Sequence, residues 1–314
     1  MHEPPRSVTA DQVLTEVRSL WDGRVIGVEH LAVGFGAWHW RADVGEPGRE
    51  ERAAPGYFVS LDPPWWHSAT TLEATYAAAA TLSDSLPFVH PSVPTVHGGF
   101  TDALGDGWLS VTSWVRGHRP GSLGPEAVQA LDDLHTSPPP EGILAWEPSV
   151  PPEVVDHLED WTRHAWTAGP LGEAAREAVV TGAADVERGL AAYLRLLERL
   201  DPATYVPTHG EPGLHNLWRA EDGRLLLLDW ETLRLAPRER DVLAGYAPHV
   251  EHDPALLELF RLEWQLSEVH SYADWLRGPH QDDPDTRTAL GGLRTQLDGL
   301  RTSTNRSRRG GSSA

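Results

Sequence analysis

At 314 residues, with 40% hydrophobic residues and a formal net charge of −20, the chain is long enough for about two domains and a sizeable buried core. The negative charge disfavours nucleic acid and anionic membranes and favours a cationic partner, and no apolar run reaches the ~18 residues of a transmembrane helix. Cysteine is absent, which excludes disulfide and thiolate chemistry, and no secretory signal is visible, so we expect a cytoplasmic protein.

The first third of the chain consists mainly of predicted strands. Apolar residues at helical spacing predict one amphipathic helix at residues 11–22, and a second helix is predicted at 71–82. Strands are predicted at residues 24–33, 37–44, 56–61, 93–97 and 108–115. The first two strands flank Gly34-Phe35-Gly36, a loop that can lay backbone N–H groups over a phosphate chain. A plain hairpin turn would fit the same residues.

Beyond residue 117 the pattern changes to helices, which predicts one lobe at residues 1–117 and a second at 118–302. Helical spacing of apolar residues predicts helices at 125–134, 154–166, 183–200 and 255–277. Residues 303–314 are rich in serine, arginine and glycine, and this low-complexity composition predicts a disordered tail.

A polar loop and a hairpin between residues 208 and 231 carry the candidate chemistry. Glu211 precedes Asn216 by five residues, and a hairpin with an Asp222-Gly223 turn then delivers Asp229 at the end of its second strand. Carboxylate and amide oxygens can bind a hard divalent cation, and a carboxylate can accept a proton. The three side chains therefore suit phosphoryl transfer, which needs a base for the attacking hydroxyl and ligands for Mg²⁺.

The pattern His209-Gly210-Glu211-(x4)-Asn216, followed by Asp229, resembles the aminoglycoside phosphotransferase family of small-molecule kinases. The family pattern has Asp where this chain has Glu211, a carboxylate one methylene longer. The resemblance covers roughly residues 24–300. It implies an α+β, two-lobed protein-kinase-like fold, with a small β-rich N-lobe, a hinge at about 114–117 and a larger helical C-lobe.

The resemblance also implies roles in catalysis. Glu211 would accept the proton of the acceptor hydroxyl, and Asn216 and Asp229 would hold one or two Mg²⁺ ions. His209 and Asp241 would be structural residues that hold the catalytic loop. The reaction implied is transfer of the γ-phosphoryl of ATP or GTP to a hydroxyl.

The implied nucleotide site has one clear departure from the family. Gly34, Phe35 and Gly36 would cover the phosphates, and the hinge residues Trp114 and Val115 would read the adenine edge. The family lysine would fall at about Ser60, but all 26 basic residues of this chain are arginines. Glu73, on the helix that follows, then has no lysine to pair with, and Arg41 is a candidate to replace the missing charge.

The acceptor is implied to bind among acidic helices of the C-terminal half. The candidate residues are Asp156, Glu159, Asp160, Glu263 and Trp264. Together with the net charge, they favour a small cationic acceptor such as an aminoglycoside-like antibiotic, and hence a role in antibiotic resistance. Two alternatives stay open: a kinase-like scaffold without turnover, which the missing lysine favours, and a kinase that phosphorylates serine or threonine of a peptide.

Overall fold

The computed structural model describes residues 1–5, 7–34, 36–45, 54–243 and 245–310, with the side chains of 303–310 excepted. The chain forms two compact units. The first consists of Met1–Trp146 and Thr204–Val250, and the second of Glu147–Ala203 and the chain from Glu251 onward. Strands dominate the early part of the chain and helices the later part, so the predicted α+β class is confirmed.

A five-stranded antiparallel sheet forms the early part of the first unit. Its strands are β1 (Val25–Leu31), β2 (Trp38–Val44), β3 (Ala54–Asp62), β4 (Thr101–Leu104) and β5 (Gly107–Ser113), in the order β1-β2-β3-β5-β4. Helix α1 (Ala10–Leu20) begins at Thr9, whose side chain and that of Gln12 form a capping box. The helix buries Val13 and Val17 in the apolar cluster that also contains Trp40 and Val59 of the sheet.

The hairpin before the predicted hinge is closed by a different strand from the one expected at 93–97. The partner of β5 is β4, which directly precedes the two-residue turn at Gly105-Asp106. Residues 93–97 keep a single ladder bond, from Val93 N to Val111 O at 2.7 Å. Pro94 has no N–H to donate, and this explains why the apolar residues around it do not extend a strand.

Helix α2 (Ala69–Ser83) follows β3 and begins at Ser68, whose hydroxyl accepts from Thr71 N. Glu73, the candidate for the lysine-pairing acid, has a different function. Its carboxylate accepts hydrogen bonds from the main-chain nitrogens of Phe100 and Thr101 and from the Thr101 hydroxyl, at 2.6–3.0 Å. It therefore fixes the start of β4 to α2.

The rest of the first unit holds the predicted catalytic stretch. Its elements are β6 (Gly117–His118), α3 (Pro125–Thr136), β7 (Val206–Thr208), β8 (Leu217–Ala220), β9 (Leu225–Leu227), β10 (Arg234–Ala236) and the short α6 (Glu239–Val242). Strands β8 and β9 form the predicted hairpin, with Gly223 at a φ of +90° in its turn. Strand β6 pairs with β8, so the predicted boundary near residue 117 lies inside a compact unit.

The second unit is helical. Its helices are α4 (Val154–Thr162), α5 (Gly172–Leu197), α7 (Pro254–Arg277) and α8 (Pro284–Gly310), of which α5, α7 and α8 pack against one another. Helix α5 begins eleven residues before the predicted start at 183, and α8 reaches Gly310. Residues 302–309 contain neither glycine nor proline to end this helix, and disorder of the tail from 303 stays a prediction. In the part of the chain described, every helix is too short or too polar to cross a bilayer.

Candidate active site

The loop between β7 and β8 brings Glu211 and Asn216 together. The Asn216 side chain is 7% exposed, and its Nδ2 donates to the main-chain oxygen of Glu211 at 3.0 Å. The main-chain oxygen of Asn216 accepts from Leu228 N at 2.8 Å, directly before Asp229. One short network therefore joins the loop to the hairpin. The Glu211 carboxylate is 39% exposed and lies 3.8 Å from Nε2 of His215, so it is accessible to an incoming hydroxyl.

The backbone of Asp229 has a left-handed conformation, which residues other than glycine adopt only where the surrounding structure enforces it. Its φ of 67° is the one positive value among the described residues other than glycine. Partial desolvation by the surrounding protein raises the pKa of Asp229 above its usual range although the residue keeps exposed surface, and the charges of Glu231 and Glu211 add to the increase. A divalent cation at this carboxylate would relieve the repulsion and favour the ionised form.

A fully buried aspartate binds the main chain of the loop between β7 and β8. Asp241 accepts hydrogen bonds from His209 N at 3.0 Å, from Gly210 N at 2.5 Å and from Nε2 of His135 at 2.9 Å. Burial by itself would raise the pKa of Asp241, but the hydrogen bond and charge of His135 lower it below its usual value. Asp241 therefore stays ionised inside the protein.

His209 connects the same loop to the end of the hairpin. Its Nε2 lies 2.8 Å from Leu228 O, and its Nδ1 accepts from Glu211 N at 3.2 Å. Burial lowers the pKa of His209, which keeps the ring neutral and fits one donating and one accepting nitrogen. Trp230 packs edge-on against the ring, with centroids 4.6 Å apart.

Several acids and histidines near Asp229 were not assigned from the sequence. Asp62 ends β3 and is 1% exposed, and neither of its carboxyl oxygens has a hydrogen-bond donor among the described residues. His67 Nε2 lies 3.6 Å from Glu231 Oε1. Burial and the charges of Glu231 and Asp229 raise the pKa of Asp62. Glu231 was visible in the Asp229-Trp230-Glu231 run, but nothing in the sequence around Asp62 indicated a charged partner.

The predicted nucleotide-binding residues all lie in the first unit. Gly34 and Gly36 have φ values of 73° and 101°, a region that favours glycine, while Phe35 lies outside the described residues. Ser60 is hydrogen bonded to Nδ1 of His39 at 3.1 Å. Arg41, the candidate to replace the lysine, forms salt bridges of 2.8 Å with Glu29 and 2.9 Å with Asp43, so its charge is already neutralised.

The predicted hinge backbone is partly engaged within the protein. Trp114 N donates to Gly56 O at 2.9 Å, and Val115 O accepts from Nε1 of Trp218 at 3.2 Å. These two bonds occupy one donor and one acceptor that an adenine edge would otherwise use. Reading of adenine by Trp114 and Val115 stays a prediction, and it now depends on the Trp114 oxygen and the Val115 nitrogen.

The predicted acceptor residues belong to the second unit and differ in their surroundings. On α4, Asp156 is exposed, Asp160 pairs with Arg163 at 3.1 Å, and Glu159 lines a cavity of about 140 Å³ between α4 and α5. On α7, Trp264 is exposed, whereas Glu263 is buried. Glu263 accepts hydrogen bonds from Ser149 N at 2.9 Å and from the Tyr193 hydroxyl at 3.3 Å. These contacts give Glu263 a structural role within the second unit.

The sequence model of the phosphotransferase enzyme family (APH) matches residues 48–281, well over half of the chain. The chain belongs to this family. A curated relative, protein StrN of Streptomyces griseus, is 36% identical over 83 residues, a stretch that covers 25% of each protein. The match therefore spans only a quarter of the length of this relative.

Two solved kinase structures share the fold of this family member. Spectinomycin phosphotransferase APH(9)-Ia, in complex with ADP and spectinomycin, superimposes with a TM-score of 0.70 at 16% identity, covering 94% of this chain and 98% of that one. A microcompartment-associated aminopropanol kinase gives 0.60 at 14% identity, covering 95% and 98%. The predicted family and the kinase-like α+β fold are both confirmed.

Proposed function

We propose that this family member transfers the γ-phosphoryl group of a nucleoside triphosphate to a hydroxyl of a small molecule. The observation that carries the proposal is the network that joins Glu211, Asn216 and the end of the hairpin at Asp229. It sets an accessible carboxylate beside an amide and a second acid, the set of groups that phosphoryl transfer requires.

Glu211 acts on the acceptor in this proposal. Its carboxylate takes the proton of the hydroxyl as the oxygen–phosphorus bond forms, and the bond between the γ-phosphorus and the β–γ bridging oxygen breaks to release the nucleoside diphosphate. The exposed position of Glu211 leaves room for the acceptor, and the bonds to His209 and Asn216 fix its main chain. The side chain keeps the freedom that its extra methylene provides.

The donor groups fit a magnesium ion. Because Nδ2 of Asn216 is committed to Glu211 O, its Oδ1 is the atom left for a cation, alongside the carboxylate of Asp229. Within the described ranges, no set of three or more His, Cys, Asp and Glu side chains is placed to hold a metal ion. That result suits Mg²⁺, which is usually bound by one or two carboxylates with phosphate oxygens and water. When bound, the ion would neutralise charge on the phosphates.

The proposed acceptor is a small cationic molecule, and an aminoglycoside-like antibiotic is the specific candidate. The net charge of −20 and the acids exposed on α4 support this choice. The two solved relatives are named for different acceptors, spectinomycin and aminopropanol, so family membership alone supports only a small molecule. Attraction by the acids would weaken as salt rises, whereas a neutral acceptor would bind independently of salt.

Glu211→Gln tests the reaction, because it keeps the shape of the side chain and removes the base. The assay detects phosphorylated product by mass spectrometry, with ATP or GTP, Mg²⁺ and a panel of antibiotics and amino alcohols first screened for binding by thermal shift. We expect product from the wild type, little from Glu211→Gln, and none from Asp229→Asn, which loses metal-dependent nucleotide binding. Asp222→Asn, in the exposed turn of the same hairpin, is the matched control and should match the wild type.

The alternative of a kinase-like scaffold is favoured by one observation, the serine at the lysine position. A wild type that binds Mg²⁺–nucleotide and an acceptor but makes no product would support the scaffold. Equal product from the wild type and Glu211→Gln would keep the enzyme but remove Glu211 from the mechanism. Unchanged Mg²⁺–nucleotide affinity in Asp229→Asn, measured by calorimetry, would contradict the metal assignment.

A further inference from the structure

Two departures from the kinase pattern lie side by side in the five-stranded sheet. The glycine-rich loop of protein kinases has the pattern G-x-G-x-x-G, and this chain has Gly34 and Gly36 but His39 where the third glycine would stand. Ser60 stands at the implied lysine position in a chain without lysine. His39 on β2 and Ser60 on β3 are paired directly across the two strands, and Nδ1 of His39 lies 3.1 Å from Oγ of Ser60. The two replaced residues therefore contact each other.

The alternation along the strands shows which face of the sheet these two side chains share. Trp40 and Val59, their neighbours in the chain, are buried in the apolar cluster that also contains residues of α1. Because successive residues of a strand point to opposite faces, His39 and Ser60 lie on the face away from α1. Both are half-buried, so a ligand can still reach them.

The end of β3 lies close to the candidate catalytic stretch. His67 follows this strand, and its Nε2 is 3.6 Å from Oε1 of Glu231, which stands two residues beyond Asp229. All of these residues belong to the first compact unit. The pair of His39 and Ser60 is therefore in the unit that holds the proposed metal ligands and the glycine loop.

Contacts on two sides fix the imidazole ring of His39. The ring packs against Phe58, with centroids 4.9 Å apart, and its Nδ1 is hydrogen bonded to Ser60. The other ring nitrogen lies against the glycine loop, since a Cβ added at Gly34 would be 2.8 Å from Nε2. When the Ser60 hydroxyl donates to Nδ1, the ring proton is on Nε2. The ring then presents an N–H group at the loop.

An N–H group at this position suits a phosphate oxygen. Burial lowers the pKa of His39 to about 4, so the ring is neutral near pH 7 and acts as a hydrogen-bond donor. Hydrogen bonds to a charged acceptor such as a phosphate are stronger than those between neutral groups. Arg41, the other candidate for this task, is already paired with Glu29 and Asp43.

We propose that His39, held by Ser60, donates a hydrogen bond from Nε2 to a phosphate of the bound nucleotide and so takes over the contact of the missing lysine. The ligand class is a nucleoside diphosphate or triphosphate, and the proposal rests on the proposed phosphoryl transfer for that choice. It accounts for both departures together, because the short side chain of Ser60 leaves the space that the imidazole occupies.

ADP is the probe for this contact, and GDP replaces it if the wild type binds GDP more tightly. Calorimetry in the presence of Mg²⁺ gives the Kd of each variant. His39→Phe keeps a ring against Phe58 but removes the donor, and we expect its Kd to rise about tenfold or more. His39→Gln keeps an N–H donor and should recover most of this loss. His97→Phe, which replaces an exposed histidine shortly before β4, is the matched control and should bind as the wild type does.

Restoring both kinase residues gives an independent test. His39→Gly alone should bind ADP as weakly as His39→Phe. Adding Ser60→Lys to His39→Gly should return the affinity to that of the wild type or better, because the lysine enters the space that the ring has left. Melting temperatures without nucleotide show that each variant is folded. If His39→Phe fails to fold, the comparison of His39→Gly with the double variant decides, since both lack the ring.

Equal ADP affinity of the wild type, His39→Phe and His39→Gly would overturn the proposal. An equal loss in His39→Phe and His39→Gln would also overturn it, because the packing of the ring would then matter and its N–H group would not. A wild type that binds neither ADP nor GDP would do the same.

No turnover is measured in these titrations, so their outcome is separate from that of the proposed function. A protein whose ADP binding requires His39 but which forms no phosphorylated product would refute the proposed function and keep the phosphate contact. Product formation by a His39→Phe variant with unchanged ADP affinity would refute the contact and keep the function.

Discussion

Replacing Asp241 by alanine removes the acceptor of three hydrogen bonds at once. The main-chain nitrogens of His209 and Gly210 and the Nε2 of His135 would all lose their partner inside the protein, at a position that is 0% exposed. Breaking one side of a buried charged pair typically costs about 3–5 kcal/mol. A domain is stable by only about 5–15 kcal/mol, so we expect a large fraction of the stability of the first unit to be lost.

A double-mutant cycle measures how much of this loss of stability comes from the contact between Asp241 and His135. Asp241→Ala, His135→Ala and the double variant are unfolded with urea, and the free energies of unfolding are compared. We expect a coupling of about 1–3 kcal/mol between the two residues, since they are in direct contact. Asp106→Ala, in the exposed β4–β5 turn, removes the same charge and should leave the free energy of unfolding unchanged.

Hydrogen exchange shows where the loss occurs. The amides of His209 and Gly210 donate to Asp241, so a peptide covering residues 206–212 should exchange much faster in Asp241→Ala than in the wild type. A loss below about 1 kcal/mol, together with unchanged exchange of this peptide, would show that water replaces the carboxylate without cost and would refute the reasoning.

The same residue predicts a pH dependence. The pKa of Asp241 is lower in the folded protein than its usual value of about 3.9. The stability that it contributes is therefore complete above about pH 4 and is lost only as the pH falls through the lowered folded pKa. The difference between wild type and Asp241→Ala should stay constant from neutral pH to about pH 5 and shrink in stronger acid.

Three further predictions concern the first unit. Glu73→Ala should cost about 2–4 kcal/mol in urea unfolding, because it leaves main-chain nitrogens such as that of Thr101 without their acceptor; a cost near zero would mean that water satisfies them. Burial lowers the pKa of His39 to about 4, so the unfolded chain binds a proton at a higher pH than the folded protein does. The free energy of unfolding of the wild type should therefore fall by roughly 3 kcal/mol between pH 6.5 and 4. An equally large fall in His39→Gln would show that another group causes it. Gly117→Ala should disrupt the pairing of β6 with β8 and lower the melting temperature, since a Cβ would lie 2.1 Å from Arg219 O; an unchanged melting temperature would show that the pairing contributes little.

Local patterns in the sequence were enough for the elements that depend on neighbouring residues. The helical spacing of Val13 and Val17 predicted α1, and Asp222-Gly223 between two apolar runs predicted the β8–β9 hairpin. These features depend on helical periodicity and turn chemistry within a few residues. The spacing of Glu211, Asn216 and Asp229 is set by the same hairpin, so the candidate catalytic groups could also be predicted.

Contacts between distant residues could not be predicted in this way. Glu73 had the position of a lysine-pairing acid on its helix, but it is bound to the start of β4. Glu263 was a candidate to bind the acceptor, but it is buried and accepts hydrogen bonds from Ser149 and Tyr193. In both cases the local sequence gave the correct helix and could not show which distant backbone would pack against the carboxylate.

The sequence alone therefore determined the fold class, the family and the order of acid, amide and acid at the candidate catalytic loop, because each is encoded by residues close together in the chain. Only the tertiary structure decided which acids are buried and what they face. Asp62 was one more acid at the end of a strand until packing buried it without a hydrogen-bond donor, and His135 ended a helix until folding brought it to Asp241. Burial in a medium of low polarity gives these contacts their energetic weight, and burial is a property of the packed chain.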